Sequence, residues 1–180
     1  MLAPSVLGIQ CLVNSTWLTN ELFKIAKTVS AGDLVALLTY NVVGCTDYKM
    51  QSTCGVAGIH GWSSDKAGTH VFAWASWDDT TVFTDAMAST SWMSNMLAAT
   101  LNNPFANDVV PNWSVPSQPQ VGCTNRFAVG APLVGNYLAV NGLEFQDVAD
   151  LSWFARQKPS IGLQGRYSYF GTLTQLPVAC

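Results

Sequence analysis

Apolar residues in this chain recur at helical spacing in some stretches and run almost continuously in others. Residues 15–29 (STWLTNELFKIAKTV) put Trp17, Leu18, Leu22, Ile25, Ala26 and Val29 on one helix face, with Ser15 or Thr16 placed to cap the start. Ala31-Gly32-Asp33 is a stop. Residues 34–43 (LVALLTYNVV) form an apolar run of strand length, which predicts a strand buried on both faces. Residues 55–62 (GVAGIHGW) and 69–77 (THVFAWASW) read as two further strands around a turn at 63–68, and 81–83 as a short one after a turn at 78–80. Residues 85–101 return to helical period, with Met93, Met96, Leu97, Thr100 and Leu101 at i, i+3, i+4, i+7 and i+8. Four prolines (Pro104, Pro111, Pro116, Pro119) mark 102–122 as a long ordered loop. Residues 143–155 (LEFQDVADLSWFA) predict a last helix, and 159–174 read as Gly-punctuated turns with a strand. The apolar start, 2–13, reads as a buried strand rather than a signal peptide, since no Lys or Arg precedes it.

These elements predict one α+β domain spanning 1–180, with a mixed or antiparallel sheet of about four strands and two or three packed helices. No repeat and no second domain are visible. Of the 180 residues, 49% are hydrophobic and 11% charged, against roughly 25% charged in an ordinary soluble domain. Solvated helix faces are therefore scarce. The net charge of −3, with eight scattered basic residues, provides no electrostatic footprint for nucleic acid. No apolar run reaches the roughly 18 residues of a membrane-spanning helix.

Five cysteines (Cys11, Cys45, Cys54, Cys123, Cys180) include no CxxC pair. Cys45 and Cys54 flank a polar loop that a disulfide would close, and buried free thiols are the alternative. The odd count leaves a thiol without an intrachain partner, for which terminal Cys180 is the best candidate. N-x-[ST] motifs occur at Asn14 and Asn112.

Candidate chemistry is sparse. His60 and His70, the two histidines, fall on adjacent strands and would face each other across a hairpin. A metal site there needs a third ligand such as Asp78, Asp85 or Asp147, and structural or surface histidines are the simpler reading. A Cys54–His60 nucleophile and base lacks an electropositive setting. Asp147 and Asp150, with Glu144 a turn away, form an acid pair or a solvated helix face. Among seven tryptophans, Trp62, Trp74 and Trp77 near one hairpin, with Trp113, would make a carbohydrate-binding platform if exposed together; core packing is the ordinary alternative. No G-x-S-x-G elbow, P-loop or dinucleotide fingerprint is present.

Several segments occur in one order across residues 17–172: Leu37 to Val43, Gly58-Ile59-His60, Asn103-Pro104-Phe105-Ala106-Asn107, Pro111-Asn112-Trp113, Gly122-Cys123, Val129-Gly130-Ala131-Pro132-Leu133, and Ser152-Trp153-Phe154-Ala155-Arg156-Gln157-Lys158-Pro159-Ser160-Ile161-Gly162. In these the chain resembles zincin-like secreted proteins of bacteria and fungi. That resemblance implies a zincin-like fold, a secreted or extracellular location, and a helix of pattern Ser-His-Glu-x-x-Glu. Ligands at i and i+4 share a helix face and bind one zinc, and the Glu at i+1 deprotonates the bound water. Here Asn95 stands at the family's His position, Met96 at the first Glu and Ala99 at the second. Asn102 and Asn103 fill the polar positions before Pro104, and Ala131 fills the Asp position of a Gly-Asp-Pro-Leu segment. His60 matches a family His, and Asp147 a family Glu.

Asn is a poor zinc ligand, Ala offers no donor and Met cannot act as a base. The expectation is a catalytically silent metallopeptidase-like domain with no cofactor. It would keep a cleft near Asn95, Ala99, His60, Trp113, Ala131 and Asp147 for a peptide or protein. The alternatives are a Trp-based carbohydrate- or surface-binding module and a hydrolase with an unrecognised site near His60. Family members extend further at the N-terminus, so a trimmed domain is one reading of the start at Met1.

Overall fold

The computed structural model describes residues 11–78, 90–115 and 122–180. The first strand, β1 (Cys11–Asn14), passes directly into helix α1 (Ser15–Ala26). The cap is Asn14, not Ser15 or Thr16: its Oδ1 accepts from Trp17 N at 3.0 Å. Leu18, Leu22 and Ala26 make a narrow buried stripe, whereas Trp17, Ile25 and Val29 are exposed, so the apolar face is slimmer than its sequence pattern.

The run 34–43 splits into β2 (Leu34–Tyr40) and β3 (Val42–Cys45) at Asn41, whose φ is 53°. It is not buried on both faces: Val35 is buried, but Leu34, Leu38 and Tyr40 are exposed. After a 3-10 turn come β4 (Cys54–Val56), β5 (Gly58–Asp65) and β6 (Gly68–Trp77). The β5–β6 turn is tighter than expected. Asp65 Oδ1 accepts from Ala67 N at 2.8 Å, and Gly68 sits at φ 132°, a value an L side chain avoids. β6 is central, parallel to β2 and antiparallel to β5, which makes the sheet mixed. β3 pairs with β1 and β4 in a second small sheet.

Strand alternation gives the main sheet two distinct faces. On one, Phe72 and Trp74 meet Leu18, Leu22 and Ala26 of α1. On the other lies helix α2 (Ser91–Asn102), the described part of the helix expected over 85–101. The rest of that helix, the strand expected at 81–83 and most of the one at 2–13 lie outside the described residues.

The expected loop 102–122 contains a strand, β7 (Val109–Ser114), which joins β8 (Thr124–Arg126) and β11 (Val178–Ala179) in a third sheet. The helix expected over 143–155 is a correction. Leu143–Gln146 is strand β10, paired with β9 (Tyr137–Val140) around Asn141-Gly142. Both turn residues take positive φ, 52° and 78°, the requirement of a type I′ hairpin. Only Leu151–Phe154 is helical (α3), capped by Asp150, whose Oδ1 accepts from Ser152 N at 2.8 Å. An aromatic core gathers here: Trp113, Trp153 and Phe154 meet edge to face, centroids 4.9–5.5 Å apart, beside Val129 and Leu133.

The chain is thus α+β, with, among the described residues, three α-helices and four small sheets of two or three strands. No helix among them is long and apolar enough to cross a membrane. Cys45–Cys54 forms a disulfide that closes the polar loop. Cys180 is not the leftover thiol. β11 runs antiparallel to β7 and brings the C-terminus to Cys123, with which Cys180 pairs, leaving Cys11 free.

Candidate functional site around helix α2

α2 is stitched to the C-terminal half by short polar contacts. Thr90 Oγ1 donates to Glu144 O at 2.8 Å, and Glu144 N donates to Thr90 Oγ1 at 2.7 Å. Gln146 N donates to Ser94 Oγ at 2.9 Å, and Gln146 Nε2 to Gly130 O at 2.8 Å. These bonds draw β10 and the Gly130 turn onto the helix. Asn95 is buried there, and a Cβ on Gly130 would lie 1.9 Å from its Oδ1. Ala131 follows at once and opens a 3-10 turn (Ala131–Leu133). It borders a surface cavity of about 410 Å³ shared with Trp113, Cys123, Thr124, Arg126 and Ala128. The fold therefore brings the Asn95 and Ala131 regions together across 36 positions of sequence (131 − 95).

Met96 points the other way, onto the sheet, where a Cβ on Gly58 would sit 2.8 Å from its Cγ. Ala99 is buried, and its carbonyl accepts from Asn103 N at 2.8 Å. Asn102 is exposed and turns its Nδ2 back to Ala98 O at 2.8 Å. Asn103 is a buried connector. Its Nδ2 donates to Phe127 O at 3.0 Å, and its Oδ1 accepts from Asn107 N and Asp108 N at 3.2 and 3.3 Å. An amide, a thioether and two methyls do not suit zinc. Among the described residues no group of three or more His, Cys, Asp or Glu side chains is placed to hold a metal ion.

The histidines do not face each other. His60 pairs with Ala73 and His70 with Ser63, an odd offset along β6, so they project from opposite faces of the sheet. His70 is buried on the α1 side, its Nε2 3.2 Å from Asp65 Oδ1. The Ala67 N–H first, and then His70, hold the Asp65 carboxyl below its usual range. His60 shares the α2 face with Gly58 and Trp62. It is half-buried, its Nδ1 has no hydrogen-bond partner, and burial pushes its pKa below the ordinary 6.5.

Other candidates resolve into structural roles. Asp147 is fully buried. Its Oδ1 accepts from Val148 N at 2.9 Å and Phe170 N at 2.8 Å, and its Oδ2 accepts from Thr172 N and Thr172 Oγ1. It anchors the return of the chain and does not line an open cleft. Asp150 caps α3 and Glu144 lies on β10, so no acid pair shares a helix face. Asp78 is buried and Asp85 lies outside the described residues. Cys54 is in a disulfide and cannot serve His60 as a nucleophile. Trp74 and Trp113 are core residues, donating to Thr39 Oγ1 at 3.1 Å and Arg126 O at 2.9 Å. Trp62 and Trp77 are exposed, but they lie at opposite ends of the hairpin, about 20 Å apart by strand rise, and form no common platform. Trp62 instead meets Phe105 edge to face, centroids 5.5 Å apart.

Sequence reasoning did not reach Gly58, Gly130 or Gln146, whose roles depend on long-range approach. It also passed over Asn141-Gly142, a standard hairpin signal that would have argued against the helix at 143–155.

Two measurements check this geometry. Gly130→Ala is expected to cost about 1–3 kcal/mol in urea unfolding, because the new methyl meets the buried Asn95 amide. Combining it with Asn95→Ala should recover about 1 kcal/mol or more relative to additivity; strictly additive effects would remove the contact from the account. For His60, burial favours the neutral ring, so its folded pKa is depressed. Its contribution is fully present above pH 6.5 and is lost as pH falls through the lower folded value, because the unfolded chain binds the proton first. His60→Gln should flatten the fall in stability below pH 6.5, and equal slopes in the two proteins would contradict the assignment.

No family model, curated protein or solved structure matches the chain at a significant level.

Proposed function

We propose that the protein is a catalytically silent, metallopeptidase-like domain that holds an extended peptide along β5. The observation that carries this reading is the packing at the family's ligand positions. Asn95 and Ala131 are neighbours through Gly130, as a shared metal site would require, yet Asn95 and Met96 are used as interior contacts. A carboxylate buried there without a metal would cost more than the uncharged amide and thioether that occupy the space.

The peptide part of the proposal rests on one edge of the main sheet, the β5 edge, which carries His60 and Trp62. Among the described residues β5 has no strand on its outer side. Ser76 N donates to Ala57 O at 2.8 Å, which makes 57–76 a hydrogen-bonded pair. By antiparallel alternation, the backbone N–H and C=O of Gly58, His60 and Trp62 then point away from β6, towards the open edge. An extended peptide adds to such an edge through main-chain hydrogen bonds. The unpartnered His60 Nδ1 and the exposed Trp62 ring supply side-chain contacts beside it. The two disulfides are compatible with the secreted location this reading assumes.

Panning a displayed random-heptapeptide library against the purified protein should enrich binders of micromolar affinity. His60→Pro, which removes an outward N–H without touching the ladder to β6, should weaken them at least about tenfold, whereas His60→Ala should retain most binding. Failure to enrich any peptide, or unchanged binding by a folded His60→Pro variant, would sink the proposal.

A further inference from the structure

We propose that Asn112 is an N-glycan acceptor and that Asn14, which carries the same motif, is not. Both sequences, Asn14-Ser15-Thr16 and Asn112-Trp113-Ser114, satisfy the acceptor pattern, so the motif alone cannot separate them. Their surroundings can.

At Asn14 both ends of the side-chain amide are in use. Oδ1 caps α1 by accepting from Trp17 N at 3.0 Å, and Nδ2 donates to Thr46 O at 3.1 Å, pinning β1 to the chain beyond β3. The cap is local, three residues along the chain, so it forms as soon as α1 does. A sugar on Nδ2 would compete with the bond to Thr46 and crowd the start of the helix.

Asn112 is exposed, and its side chain has no hydrogen bond among the described residues. Only its backbone carbonyl is engaged, by Arg156 Nη2. The β7–β8 ladder is irregular between Val109 and Trp113, so Asn112 sits in a break in the pairing, while Trp113 beside it turns inward to the aromatic core. The side chain therefore projects outward from a strand that is anchored on either side of it.

Order of synthesis favours the same residue. Trp113 and Ser114 pair with Ala179 and Val178, and Cys180 closes on Cys123. Those partners lie 64 and 66 residues further along the chain (178 − 114 and 179 − 113), so the acceptor segment stays unpaired on that edge until they have been made, at about 5–20 residues per second. An oligosaccharyl transferase needs such an open, extended acceptor. In the transfer, Asn112 Nδ2 bonds to the anomeric carbon of a polyisoprenyl-diphosphate oligosaccharide. The carbon–oxygen bond to the diphosphate breaks, Nδ2 gives up one proton, and the polyisoprenyl diphosphate leaves. A glycan at this position survives folding because the side chain stays in solvent.

The inference requires passage through a glycosylating secretory route but not the peptide-binding reading. The test supplies that route: the full chain is expressed in yeast behind an appended secretion signal, and intact mass is read before and after peptide N-glycosidase. The expected result is one enzyme-sensitive glycan. Asn112→Gln and Ser114→Ala should each abolish it, and Thr16→Ala, at an exposed position of α1, should leave it in place. Secreted protein of unmodified mass, or a glycan that Thr16→Ala removes and Asn112→Gln does not, would overturn the proposal. Two glycans on the native chain would overturn its exclusion of Asn14.

Discussion

Two glycines decide where α2 can sit. Gly58 lets Met96 settle on β5, and Gly130 lets Asn95 settle against the turn that precedes Ala131. A side chain at either place would need space that the helix already fills, so α2 is held from both sides by close approach. The helix joins the main sheet to the C-terminal half, where Thr90, Ser94 and Gln146 tie it to β10 and Asn103 ties its end to Phe127 and Asp108. Asn95 and Met96, the residues that the proposed reading puts at ligand and base positions, are among those that set its packing.

Under the proposed reading, that overlap is what would let a helix without metal donors persist. A metal ligand must present a charged or strongly polar donor towards an open coordination position. Asn95 fills the space over Gly130 and carries no charge. Met96 is flexible and apolar, suited to an irregular gap over a glycine. With a chain of this low charge content, keeping carboxylates at the α2–sheet junction would mean burying charge where few basic partners exist. Among the described residues β5 is one of the two edges of the main sheet, and it carries His60 and Trp62.

The legibility of the fold follows the range of the forces involved. The core of the α1 stripe, the β5–β6 hairpin and the presence of a helix at α2 were readable, because each is encoded by spacing within a dozen residues; the face α2 buries was not, since Leu101, expected on it, is exposed while Asn95 and Ala99 are buried. The Cys45–Cys54 closure was readable as one of two options. The segment 143–155 was not, because Leu143, Phe145 and the apolar residues of 148–154 mimic helical period while Asn141-Gly142 commits the chain to a hairpin. Nor was β7, since Pro111 and the neighbouring prolines suggest a loop, yet Trp113 needs a strand to carry it into the aromatic core. At the site, Asn95, Met96, Ala99, Asn102, Asn103 and Ala131 were named from the sequence, but their packing roles were not. Asn103 as connector, Asp147 as anchor and the opposed faces of His60 and His70 depend on pairing register and long-range bonds, to which local pattern is blind.

The proposed function requires that the Asn95–Ala131 neighbourhood keep the placement of a metal site without its donors. The most direct test is a zinc titration with elemental analysis of the purified native protein, run beside the Asn95→His, Met96→Glu, Ala99→Glu triple variant. The expected result is no stoichiometric zinc on the native chain and a measurable gain in the variant. One zinc per native chain, with chelator-sensitive cleavage of a generic peptide substrate, would contradict it.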